Sequence, residues 1–190
     1  MYWMAASLAA LAVAPLVRAQ QMKAAWNGTE LRVSAASLGL LSGKPLERLK
    51  DGATVAFDFH LSIRDGPAPV RRAFERFLIS YDLWEERYSV TRIVRDRAQR
   101  RSASHLTPAA AESWCLENLF IATGGFDPDR LFTAQLEIRV EEPRDSNPVI
   151  GEPGVSLTAL IEIFSRPARS QQQRWNLETA RMRLNDIRLK

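Results

Sequence analysis

Sulfur and imidazole are scarce in this 190-residue chain, which has one cysteine, Cys115, and two histidines, His60 and His105. A lone thiol excludes an internal disulfide framework, and two histidines with one cysteine fall short of the four protein ligands of a structural zinc site. No CxxC, HExxH, serine nucleophile elbow or phosphate-binding glycine loop occurs. Lysine is confined to Lys23, Lys44, Lys50 and Lys190, so arginine supplies nearly all of the 26 basic residues. Glycine (9) and proline (10) are too few for a collagen-like or low-complexity chain. With 46% hydrophobic and 25% charged residues, the composition is that of a soluble globular protein. The length favours one domain, large enough to bury roughly 70% of its unfolded surface without a staple.

The longest apolar stretch lies at the N-terminus, MYWMAASLAALAVAPLVRAQ. No charge precedes Arg18, Pro15 ends the run, and Val17-Arg18-Ala19 places small residues where a signal peptidase reads. The expectation is a signal peptide over residues 1–19, cleaved before Gln20, and a single β-rich domain over 20–190. An uncleaved anchor is the alternative, although the run is short of the ~20 residues that span a bilayer comfortably. Both place the domain outside the cytoplasm, in a periplasm-like compartment.

Charge is unevenly distributed. Residues 64–101 hold ten arginines against six acids, and residues 102–165 hold three arginines against ten acids. The densest basic run comprises Arg92, Arg95, Arg97, Arg100 and Arg101. It is the candidate binding patch, suited to anionic lipid head groups or an acidic protein face; nucleic acid is not expected outside the cell. The competing reading is a basic region that is solvated or paired within the fold.

Two segments alternate without error. Val55, Phe57, Phe59, Leu61 and Ile63 alternate with Ala56, Asp58, His60, Ser62 and Arg64, and Phe132, Ala134, Leu136, Ile138 and Val140 alternate with polar residues. Such a period of two predicts half-buried antiparallel strands. Weaker strand patterns lie at 31–36, 77–83 and 88–94, and Trp84-Glu-Glu-Arg87 can serve as a hairpin connection between the last two. Residues 155–164 leave strand and short helix open, and 175–189 reads as a strand with a bulge or break. Thr107-Pro108 opens a helix that Asn118 can close, and Lys44–Lys50, stopped by Asp51-Gly52, reads as a short connecting helix. Asn27-Gly-Thr29, a glycosylation-type triplet, reads as an exposed leader into the first strand. The predicted fold is mainly β: an antiparallel β-sandwich-like or curved sheet with one medium and one short connecting helix.

Candidate chemistry is thin. His60 and Asp58 share a strand face and could orient a base, and His105 precedes the helix carrying Cys115. An enzyme would require His60, Asp58 and either His105 or Cys115 in one cleft. Asp127-Pro-Asp129, Glu141-Glu142 and Asp145 lack calcium-loop spacing, so turn and capping roles are expected of Asp127 and Asp129. Cys115 reads as a small apolar residue beside Trp114. The aromatics Trp84, Trp114, Trp175, Phe57, Phe59, Phe77, Phe120, Phe126, Phe132 and Phe164 would fill one core, or line a lipid-like cavity if the sheet curves. No catalytic residue, cofactor or metal is assigned.

The order of segments carries a resemblance. Leu31-Arg-Val-Ser-Ala35 leads to a Leu-rich connection ending in Asp51-Gly52, then Thr54-Val-Ala-Phe-Asp-Phe59, Leu78-Ile-Ser-Tyr-Asp-Leu83, Arg87-Tyr-Ser-Val90, the capped helix and Leu136-Glu-Ile-Arg-Val140. Across roughly residues 29–145 this resembles the bacterial exported family called domain of unknown function 4390. That family has no established activity, so the resemblance implies export and fold and no catalytic residues. The expected function is non-catalytic binding, with an envelope protein as partner and a carrier of lipid or another hydrophobic ligand as the alternative.

Overall fold

The computed structural model describes residues 22–93, 100–141 and 173–189. The expected signal segment, Arg95, Arg97, the 155–164 run and the Glu142–Asp145 acids lie outside them.

The two alternating runs are neighbours at the centre of the larger sheet. Strand β3 (Val55–Arg64) and β8 (Thr133–Val140) pair antiparallel, with Phe57 opposite Val140, Phe59 opposite Ile138 and Leu61 opposite Leu136. All these apolar side chains are buried, while Asp58, His60 and Ser62 stay on the wetter face with Arg139, Glu137 and Gln135 opposite them. Burial of one face sets the register, because a one-residue slip would bring the polar set inside. Around this pair the strand order is β6-β5-β4-β3-β8-β9, with β4 at Pro69–Asp82, β5 at Arg87–Ile93, β6 at Arg101–Leu106 and β9 at Arg174–Glu178.

A second sheet is ordered β1-β2-β7, from β1 (Met22–Trp26), β2 (Glu30–Ala35) and β7 (Phe120–Ala122). Together with helices α1 (Gly43–Lys50) and α2 (Pro108–Glu117) it covers the dry face of the larger sheet, and the buried side chains form one cluster. The fold is mainly β, with antiparallel strands throughout. The core is packed ring on ring: Phe59 meets Phe77 edge-on at 5.0 Å, Phe77 meets Trp114 at 6.0 Å and Phe126 meets Phe132 at 5.7 Å. Among the described residues no helix is long and apolar enough to cross a membrane.

Local signals set the helix ends. The Thr107 hydroxyl accepts from the Ala110 amide, Pro108 occupies the first turn, where its missing N–H costs nothing, and Asn118 is the C-cap. The break expected near the C-terminus is real: β9 ends at Glu178, Met182 bridges Phe132, and a 3₁₀ turn at Asn185–Ile187 carries the chain to β1, where the Leu189 amide donates to the Trp26 carbonyl.

Four expectations are corrected. Asn27-Gly28 is the turn of the β1–β2 hairpin rather than a leader: the Asn27 Oδ1 accepts from the Thr29 and Glu30 amides, and Gly28 takes φ +100°. Strand β4 begins at Pro69, well before Phe77, because β3 supplies a partner for its whole backbone even where the side chains do not alternate. The polar strand β6 was unforeseen; it is the last strand on its side of the sheet among the described residues and is bulged near His105, whose φ is +58°. Trp84 does not join the core. It occupies the β4–β5 turn and is 96% exposed.

Candidate functional site

The four groups considered for catalysis are not brought together. Both Asp58 carboxylate oxygens are taken by Arg76, whose Nε and Nη2 donate at 2.6 and 2.8 Å, and this bonding raises the guanidinium pKa further. The His60 ring packs against Phe74, with centroids 4.8 Å apart. His105 lies on β6, three strands away and level with Tyr81 rather than Phe74 along β4, and its Nδ1 sits 2.7 Å from Glu85. Cys115 is on the dry side beneath the sheet, where burial pushes its thiol far above the range in which a thiolate forms at neutral pH.

The acidic loop residues Asp127 and Asp129 hold turns. Asp127 Oδ1 accepts from the Asp129 amide at 3.0 Å, and Asp129 Oδ1 accepts from the Asn185 side-chain amide at 2.7 Å. Among the described residues no group of three or more His, Cys, Asp or Glu side chains could hold a metal.

The basic run divides. Arg92 leaves the proposed patch: its Nε and Nη2 donate to Glu75 at 2.7 and 2.5 Å, and the two side chains are only 17% and 16% exposed. Its charge is answered internally because the sheet register puts Arg92 beside Phe77 and Glu75 beside Phe59, at the margin of the dry face. Arg100 and Arg101 instead reach an open cleft of ≈ 690 Å³ at the C-terminal end of α2. Its walls come from Arg32, Arg100, Arg101, Ser102, Trp114 and, at the helix end, Glu117 and Asn118. Arg32 was missed in the sequence because it sits sixty residues before the basic run begins at Arg92, in a strand that only the tertiary fold lays beside α2. The Arg32 Nη1 donates to the Glu117 carbonyl at 2.7 Å, its Nε and Nη2 bond Glu30, and its guanidinium lies 5.4 Å from the Phe120 ring centroid.

The second exposed feature is the β4–β5 turn. Leu83 is 56% exposed beside the almost fully exposed Trp84. The turn is braced: Asp82 Oδ1 accepts from the Trp84 and Glu85 amides at 2.8 and 3.0 Å, Glu86 has φ +53°, and Glu85 reaches His105. These two backbone bonds hold the Asp82 carboxyl below its usual range, the Glu85 amide having the larger effect. A depressed folded-state pKa contributes stability above the unfolded value, and that contribution is lost as pH falls through the folded one. In a proton NMR titration, the Trp84 and Glu85 amide shifts should therefore move together, with a midpoint below the ~3.9 of an unperturbed Asp. A midpoint at or above that value would show that the brace is not made in solution.

Comparison with protein-family models, curated proteins and solved structures returned no match.

Proposed function

We propose that this chain is an exported, non-catalytic interaction domain of the cell envelope that engages a protein partner through the β4–β5 hairpin tip. The observation that carries this reading is Trp84. A large aromatic held almost wholly in water on a braced turn gains nothing for its own fold, whereas tryptophan is among the side chains that most often dominate the centre of a protein interface. The apolar leader with no charged side chain before Arg18, ending at Val17-Arg18-Ala19, and the resemblance to an exported family support the location. A hydrophobic-ligand carrier is the weaker reading, since the rings that would line its cavity pack against one another.

The test places a photo-crosslinking amino acid at position 84 of the full chain in its native cells, with position 178, exposed on β9, as control. A discrete adduct from 84 that 178 does not give is expected. Against the partner so identified, Trp84→Ala should weaken binding by about thirtyfold, as befits an interface hot spot. Equal labelling from both positions, or none from 84, overturns the reading. A ligand retained by the purified protein in native mass spectrometry would favour the carrier.

A further inference from the structure

The cleft at the end of α2 is a separate feature, on β6, β2 and α2 rather than on the hairpin tip. The C-terminus of a helix ordinarily attracts cations. Here its carbonyls are already engaged: Glu117 O accepts from Arg32, and Trp114 O accepts from the Asn118 side-chain and backbone amides. Arg32 is itself answered by Glu30. Its role is to close one wall and hold it still.

The Arg100 and Arg101 guanidiniums have no hydrogen-bond or ion-pair partner among the described residues, although the side chain of Arg92, directly across from Arg101 on β5, is fully paired. Arg100 and Arg101, each with a planar fork of donors, both line the cleft, and the register with Arg92 turns Arg101 to the α2 side of the sheet. Trp114 supplies a flat apolar wall fixed from behind by Phe77. Only one carboxylate, Glu117, stands among the described lining residues to oppose them.

We propose that this cleft binds a phosphate group, with Arg100 and Arg101 holding its oxygens and Trp114 bordering the organic part of the ligand. Guanidinium forks match tetrahedral oxyanions in geometry and charge, and a dianion answers both arginines at once. The same chemistry is offered by a soluble phosphate ester and by a phospholipid head group.

The probe is inorganic phosphate, titrated into the full-length protein while the Trp114 indole N–H is followed by NMR. Saturable shifts at millimolar phosphate, weakening as salt rises, are expected. The double variant R100Q/R101Q should bind at least about tenfold more weakly. Glu117→Gln, which removes the opposing carboxylate, should tighten binding about threefold. That opposite sign separates a binding role from loss of fold. A second arm sediments the protein with phosphatidylcholine vesicles, with and without phosphatidylglycerol. Phosphatidylglycerol-dependent binding lost in the double variant identifies a head group, and phosphate binding without vesicle binding identifies a soluble ester. The proposal is overturned if Trp114 does not respond to phosphate, or if the double variant responds as the parent does. Trp84→Ala should leave the titration unchanged, so failure here is distinguishable from failure of the hairpin reading.

Discussion

Replacing Glu112 with alanine should cost about 3–5 kcal/mol of folding stability, the largest effect expected of any polar residue described here. Glu112 lies on the buried side of α2, and its two carboxylate oxygens accept from the Leu38 and Leu40 amides, each at 2.7 Å. Leu38 and Leu40 are themselves buried, in the connection between β2 and α1. Alanine would leave two buried donors without acceptors and little room for water to replace them, and each such charged hydrogen bond contributes about 1.5–3 kcal/mol. Glutamine is no remedy. Both oxygens are used, so its amide nitrogen would face an N–H donor, and Glu112→Gln should lose a large share of the same stability. Urea denaturation followed by circular dichroism measures this as a lowered midpoint with little change in slope. The control is Glu117→Gln, one turn further along the helix and exposed, which should stay within about 0.5 kcal/mol. Equal effects at 112 and 117 would mean that the 37–41 connection is not anchored on α2 in solution.

Phe59→Ala should destabilise the fold by about 3–5 kcal/mol, while His60→Ala, its immediate neighbour, should cost about 1 kcal/mol or less. Phe59 is fully buried on a central strand, directly opposite Ile138, and its ring meets the edge of Phe77. Truncation removes ring contacts from both partners and opens a cavity that a sheet hydrogen-bonded on both sides cannot close. His60, one residue on, projects to the opposite face and loses its packing against the half-exposed Phe74 and a solvent-screened interaction with Glu137 across from it. Against a total stability of about 5–15 kcal/mol for an ordinary domain, the first change brings the protein close to unfolding and the second is barely felt. Comparable losses from the two would mean that both sheet faces are dry and that further chain covers the His60 side.

The same strand shows why some of the fold was legible in advance. In β3 and β8 the side-chain period matches the burial period residue for residue, because both strands are central and both have one covered face. Helix α2 was equally plain, since a threonine cap, a first-turn proline and a closing asparagine act within their own turn. Strands β1, β6 and β7 and the first half of β4 were not. Strands β1 and β7 are too short to show a two-residue period, β6 and the start of β4 are mostly polar or exposed, and all of them are strands because a neighbour satisfies their backbone, which leaves no local trace in the sequence. Trp84 lies in the hairpin connection that its segment suggested, but not in the core that its size suited, because Asp82 gathers the Trp84 and Glu85 amides into a turn and leaves the ring outside.

The candidate site was half legible. The run from Arg92 to Arg101 announced positive charge, yet composition cannot distinguish an arginine that is neutralised from one that is not. Glu75 removes Arg92 from the patch through a register between β4 and β5, and Arg32 enters from β2 only because α2 packs beside that strand.

By itself, then, the amino-acid order determined which side chains could be dry: a two-residue period and a capped helix are local, and the hydrophobic effect acts on them wherever they come to lie. Which charges remain available, which aromatic faces water and which distant residues share a cleft were settled only by tertiary pairing. Those properties depend on contacts between segments far apart in the chain, and no local pattern encodes a partner's distance.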